Sequence, residues 1–122
     1  MSVLHDGPSI VITGAGLVCA LGPNRQEAWA AVRSGQCGIG KLAAIEQPLP
    51  PGQGGGEARL VSDDQREVTM LRNALNEALA EAGITGQWPC EGHRVAVIVG
   101  TTLGGMRAAG RFLRTNDHSK LQ

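Results

Sequence analysis

Two short stretches of the chain are continuously apolar and lack the in-and-out alternation of a strand exposed on one face. Residues 9–13 read SIVIT, and residues 94–100 read RVAVIVG. Runs of this length without alternation are typical of parallel strands covered on both faces. Each run leads into a glycine-containing turn, TGAG after the first and GTTLGG after the second. The pattern therefore predicts two similar strand and turn units.

The segment after the first turn has the spacing and end signals of a short helix. Asn24 followed by Glu27 resembles a capping box, and Gly35 supplies the stop. These positions predict a helix of about three turns. The side chains expected to point inward are Ala28, Trp29 and Val32.

A second helix is predicted between Ser62 and Gly83. Ser62 with Gln65 gives a start signal, and Gly83 ends the periodic stretch. Its apolar residues fall on one face, and they are Val68, Leu71, Leu75, Ala78, Leu79 and Ala82. Strands that alternate with helices predict an α/β fold with parallel strands and right-handed crossover helices.

The region from Gly38 to Val61 has no regular pattern. Its prolines and consecutive glycines predict no helix or strand, and a flexible surface excursion is expected at about 46–61. Pro89 and Gly92 bracket a further turn, and no closing element is evident in the last sixteen residues. Two parallel strands are too few for a stable sheet. We therefore expect residues 1–122 to be the incomplete N-terminal portion of a larger domain.

The composition disfavours several classes of partner. Eleven Lys and Arg balance eleven Asp and Glu, so no attraction to nucleic acid or to an anionic membrane is predicted. No Tyr, one Phe and two Trp leave little aromatic surface for stacking on bases. There is no secretory signal pattern and no apolar run near the roughly 20 residues that span a bilayer. A cytoplasmic location is expected.

The cysteines and histidines give no sign of a metal site. The cysteines lie far from one another along the chain, as do the histidines, and no two cysteines form a Cys-x-x-Cys pair. These six residues are Cys19, Cys37, Cys90, His5, His93 and His118. This spacing predicts reduced thiols, no disulfide framework and no metal.

The first glycine turn only partly resembles a dinucleotide-binding fingerprint. Gly14 and Gly16 fit, but Cys19 stands where the third glycine belongs. The next helix begins only at Asn24, too far along for its N-terminus to meet a phosphate held by the turn. A nucleotide-binding α/β domain is therefore a low-ranking alternative.

Four ordered segments together resemble a known family. They are VITGAGLVCALG, a helix with Trp29 leading to RSGQCGIG, a helix ending EAGI, and RVAVIVGTTLGG. In this order they are similar to the N-terminal part of β-ketoacyl-acyl-carrier-protein synthases, the condensing enzymes of the thiolase-like superfamily. The resemblance covers nearly the whole chain. It departs at Cys19-Ala20, where the family often has Ser-Pro, and in the variable region around 52–56.

The resemblance implies a thiolase-like layered fold and a decarboxylating Claisen condensation of acyl and malonyl thioesters, in fatty-acid or polyketide synthesis. It implies acyl carrier protein as partner, a homodimer as the complete enzyme, and no cofactor or metal. The family's cysteine nucleophile and two histidines lie downstream of this chain. No catalytic residue is therefore assigned here, and the chain alone is expected to be inactive. A noncatalytic partner subunit of a thiolase-like protein is the alternative.

The resemblance also gives roles to individual residues. Leu103 takes the position that lines the acyl pocket, and a core leucine is an equally good interpretation. Structural glycine turns are expected at Gly14, Gly16, Gly100, Gly104 and Gly105. For Gly14 and Gly16 the expected reason is a positive φ, which only glycine adopts without penalty.

Overall fold

The computed structural model describes residues 9–43, 50–60, 66–86, 95–102 and 106–116. In chain order these residues form α1 (Arg25–Arg33), β1 (Ile39–Gly40), β2 (Gly55–Gly56), α2 (Arg66–Glu81) and α3 (Met106–Thr115). β1 and β2 pair in antiparallel orientation, with Ile39 opposite Gly56 and Gly40 opposite Gly55.

The predicted ends of α1 are confirmed. Asn24 has extended backbone, and its side chain accepts the N–H of Glu27 at 2.9 Å. At the other end Gly35 has a φ of 71°. The N–H of Gly35 donates to the carbonyl of Val32 at 3.1 Å, and that of Gln36 to Ala31 at 2.9 Å. This pair of bonds is a Schellman motif, for which glycine is the preferred residue.

The predicted inward face of α1 is only partly correct. Ala28 is buried as expected, together with Ala31, at 3% and 4% exposure. Trp29 and Val32 are instead 63% and 52% exposed. Just before α1 begins, the chain passes close to its first turn at Gly22, where a Cβ would lie 2.7 Å from the backbone nitrogen of Ala28. A small side chain at position 28 fits this close approach.

α2 ends where the sequence predicts. Gly83 has a φ of 73°, its N–H donates to Ala80 at 3.1 Å, and the N–H of Ile84 donates to Leu79 at 2.9 Å. The predicted start at Ser62 and Gln65 lies outside the described residues. No residue of α2 is buried. The most exposed members of its predicted inward face are Val68 at 42%, Leu71 at 53% and Leu75 at 50%.

Neither apolar run forms a strand within the described residues. Ile10 and Ile12 are 99% and 90% exposed, and Val97 and Ile98 are 81% and 94% exposed. Both segments are thus exposed and without strand pairing in the described residues, and the buried parallel strands stay a prediction. A buried parallel strand needs a strand on each edge and helices on both faces, and the described part of the chain supplies neither to these runs. The thiolase-like layered arrangement stays a prediction.

The glycine-rich region does contain a regular element, contrary to expectation. β1 and β2 form a short hairpin within 38–61, whose intervening residues 44–49 lie outside the described part. A Cβ on Gly54 would lie 2.8 Å from the carbonyl oxygen of Gly40. The absence of a side chain there lets the two backbones approach, so glycine permits this pairing.

α3 is a helix that the pattern analysis does not predict. Met106, Ala109 and Leu113 share one face, while Arg111 lies on the opposite side. Gly110 interrupts the sequence in mid-helix and weakens the helical signal.

Candidate functional site

The first glycine turn, residues 14–17, lies against the C-terminal half of α2. A Cβ on Gly14 would overlap the carbonyl oxygen of Ala78, and one on Gly16 would overlap that of Ala74. At Gly16 the added carbon would also lie 2.6 Å from the carbonyl carbon of Ala74. No side chain fits between the turn and the helix backbone, and this close approach explains both glycines.

The expected reason for these two glycines is therefore wrong. Neither has a positive φ, whereas the described glycines that do are Gly35, Gly52, Gly83 and Gly86. Gly14 and Gly16 are required for the space that they leave to a neighbouring helix.

Three backbone N–H groups of this region donate to two carboxylates of α2. The N–H of Ala15 donates to Oε2 of Glu81 at 2.7 Å, and that of Leu17 to Oε2 of Glu77 at 2.9 Å. The N–H of Arg25 donates to Oε1 of Glu77, also at 2.9 Å. We call this group of five residues the turn clasp.

The Arg25 side chain completes the turn clasp. Its Nη2 lies 2.5 Å from Oε1 of Glu81, within hydrogen-bond distance. Its Nε lies 3.8 Å from Oε1 of Glu77, a distance that allows an ion pair but no hydrogen bond. Arg25 thus joins the start of α1 to both carboxylates of α2.

These contacts shift the ionisation of all three charged groups. The N–H groups of Leu17 and then Arg25 lower the pKa of Glu77 below its ordinary value. The pKa of Glu81 is lowered first by the N–H of Ala15 and then by the Arg25 side chain. The hydrogen bond to Glu81 raises the pKa of Arg25. Both glutamates are therefore carboxylates at neutral pH.

The geometry also bears on phosphate binding at the turn. A Gly-x-Gly turn holds a phosphate through free backbone N–H groups. Here the N–H groups of Ala15 and Leu17 already donate to Glu81 and Glu77. An incoming phosphate would have to displace two like charges from these donors. The arrangement supports a structural role for the turn.

A cleft of about 260 Å³ lies between residues 19–23 and the β1–β2 hairpin. Cys19 and Cys37 both line it, one half-buried and one exposed. Glu57, also in its wall, accepts the N–H of Ala43 at 2.6 Å and lies 3.5 Å from Arg66. Within the described residues no three His, Cys, Asp or Glu side chains come together as metal ligands.

Several of the residues singled out in the sequence lie outside the described part. They are Leu103, Gly104, Gly105, Cys90, His5, His93 and His118. Gly100 is described, and a Cβ there would have open space around it and no positive φ to strain it. No contact in the described chain requires a glycine at this position.

The residues of the turn clasp were not identified from the sequence. Glu77 and Glu81 lie one turn apart on the same side of α2 as Ala74 and Ala78. A stripe of small residues flanked by two carboxylates is a signal for close contact with backbone N–H groups. The apolar periodicity of Leu71 and its neighbours is much stronger than this signal, so the sequence favours a different face of α2 as the contact surface.

Comparison with known proteins gives one further finding. The chain is 30% identical to Nodulation protein E of Rhizobium meliloti (strain 1021) over 118 residues, which is 87% of this chain and 29% of that protein. The chain thus spans less than a third of the length of this relative. The similarity supports a distant link to the condensing-enzyme family. No family profile and no solved structure matches the chain.

None of the helices in the described residues combines the length and the apolar character needed to cross a bilayer.

Proposed function

We propose that this chain is the N-terminal portion of a cytoplasmic condensing enzyme of the β-ketoacyl synthase type. The complete protein would transfer an acyl group from acyl carrier protein to a cysteine thiolate. A malonyl thioester would then lose carbon dioxide, and the resulting carbanion would attack the acyl-enzyme. The products are a 3-oxoacyl thioester, carbon dioxide and the free thiol of the carrier protein that delivered the acyl group, and the cysteine is regenerated.

The observation that carries this proposal is the similarity to Nodulation protein E along most of the chain. This similarity is consistent with the four ordered segments that resemble the start of a condensing enzyme. A chance match to one glycine turn would not extend over 118 aligned residues.

The turn clasp supports the same assignment over the nucleotide-binding alternative. A phosphate site needs donors that are free and surroundings that are not negative. The first glycine turn instead has two of its N–H groups bonded to Glu77 and Glu81. Its contribution is to hold the chain against α2.

In the complete protein this portion would shape the substrate site without supplying catalytic groups. Leu103 is the residue proposed to line the acyl pocket. The cysteine nucleophile, the two histidines and much of the homodimer contact would come from other parts of the protein. Catalysis by residues 1–122 alone is not expected.

The test begins with the reading frame beyond codon 122, followed for about 300 codons, since a complete synthase needs two sheet-containing halves. The protein it encodes is then assayed for malonyl-dependent release of carbon dioxide and elongation of an acyl-carrier-protein substrate. Elongation by the whole protein, and none by residues 1–122, is the expected result. A reading frame that ends at codon 122 would refute the proposal that the chain is part of a catalytic enzyme and would favour a noncatalytic partner subunit.

The role of Leu103 is tested in the same assay. Leu103→Phe should shorten the longest acyl chain that the complete enzyme accepts, while Leu103→Met, of similar volume, should leave the range unchanged. An unchanged chain-length range in both variants would place Leu103 in the core rather than in the acyl pocket.

A further inference from the structure

We propose that the turn clasp is a charge-dependent latch, in which ionised Glu77 and Glu81 hold residues 14–17 on α2, and loss of either charge releases the turn while α2 stays helical.

The contact between the turn and α2 has little apolar content. Gly14 and Gly16 have no side chains to bury, and they face the carbonyl groups of Ala78 and Ala74. Leu17 is 42% exposed. Burial of a large apolar side chain in this contact is therefore limited to the covered part of Leu17. The contacts between turn and helix that depend on charge are the hydrogen bonds to the two carboxylates.

Those hydrogen bonds depend on charge. Both connect a backbone N–H to a carboxylate, at 2.7 Å from Ala15 and 2.9 Å from Leu17. Bonds to an ionised acceptor are shorter and roughly twice as strong as bonds between neutral groups. A neutral acceptor at the same position holds the turn much less firmly.

The hydrogen bonds that close the end of α2 are separate from the latch. The last turn of α2 is closed by the Gly83 and Ile84 bonds to its own carbonyl groups. None of these bonds involves the glycine turn. Release of the turn is therefore expected to be local, since weakly packed segments open independently of stable helices.

Among the described residues, three charged side chains form the ionic contacts of the latch. Arg25 faces it from the start of α1, and Glu77 and Glu81 face it from α2. Residues 14–17 carry no ionisable side chain. Because Arg25 keeps its charge at all ordinary pH values, the two glutamates are the members that respond to protons. Acid protonates both glutamates and is therefore expected to release the turn.

The test is hydrogen–deuterium exchange of the 122-residue chain, read on peptides covering the turn and on peptides covering α2. The variants are Glu77→Gln and Glu81→Gln, which remove one charge each and keep the side-chain shape. Glu67→Gln is the matched control, since Glu67 lies in the first turn of α2, roughly 15 Å from the turn clasp along the helix. A wild-type measurement near pH 3.5, corrected for intrinsic exchange, completes the set.

The latch predicts a specific pattern. At pH 7 exchange in the turn should be about threefold to tenfold faster in Glu77→Gln and Glu81→Gln, with α2 unchanged and the Glu67→Gln control like wild type. Acid should release the turn in wild type by a similar factor. Unchanged turn exchange in both variants would refute the proposal. Equal acceleration in the turn and in α2 would also refute it, because the charges would then be supporting the helix itself.

Discussion

Substitution of Gly16 is the most direct test of why the first turn contains glycine. In Gly16→Ala the new Cβ would lie 2.6 Å from the carbonyl carbon of Ala74 and 3.0 Å from its Cα. Non-bonded carbon atoms are at their optimum at about 3.5–4.0 Å, so the turn must move away by about 1 Å. Such a movement lengthens the hydrogen bonds from Ala15 and Leu17 beyond their normal range.

The cost can be estimated from the kind of atom that is met. The obstacle is helix backbone rather than the end of a flexible side chain, so the structure can relax only by moving the turn. Overpacking of this kind costs about 1–3 kcal/mol. We therefore expect the free energy of unfolding of Gly16→Ala to be about 2 kcal/mol lower than that of the wild type.

Urea unfolding followed by far-UV circular dichroism measures this difference, and two other glycines provide controls. Gly100→Ala adds a Cβ in open space and should change stability by less than about 0.5 kcal/mol. Gly83→Ala tests a positive φ of 73° and should cost about 1 kcal/mol. If Gly16→Ala behaves like Gly100→Ala, close approach to α2 is not the reason for the glycine.

Three further predictions concern other parts of the chain. Glu77 and Glu81 have lowered folded-state pKa values, so their stabilisation is complete above the unfolded-state pKa and is lost as pH falls below about 4.5. Urea midpoints measured against pH check this, and midpoints that rise towards acid would contradict it. Asn24→Ala should lower stability by about 1 kcal/mol while Asn24→Asp retains most of it, and equal midpoints would show that the cap contributes nothing. The exposed runs around Ile10 and Ile98 should make the 122-residue chain self-associate, as judged by sedimentation; a chain that stays monomeric at every concentration measured would overturn this.

Helix ends could be predicted from the sequence because their signals are local. Asn24 caps α1 through a residue three positions away, and Gly35 and Gly83 end α1 and α2 through bonds within their own last turns. Neighbouring residues decide these geometries whatever the rest of the fold does. The β1–β2 hairpin could not be predicted in this way. Its glycines indicate a flexible backbone, but they do not indicate which two segments pair.

The faces of the helices could not be predicted in the same way. Apolar periodicity favours Trp29 and Val32 as inward residues, yet the buried residues of α1 are Ala28 and Ala31. Which face is buried depends on what packs there, and that information is not local. The two apolar runs form no strand in the described residues for a related reason. A strand needs a neighbouring strand, and the described chain does not place one beside either run.

The turn clasp was out of reach for a further reason. Its hydrogen bonds join residues 52 to 66 positions apart, and no local pattern connects them. The sequence favours a structural role for the first turn with a positive φ as its cause, and the φ values of Gly14 and Gly16 contradict that cause. A positive φ is a property of one residue, whereas the close approach of Gly16 to Ala74 is a property of two segments.

The sequence separation of the turn clasp also sets the order in which the protein can be completed during translation. Ala15 finds its acceptor only when Glu81, made 66 residues later, has been synthesised. At about 5–20 residues per second, that takes about 3 to 13 s. Throughout this interval residues 14–17 cannot yet be anchored on α2. Slower codons before position 81 would therefore lengthen the period in which the turn has no partner helix.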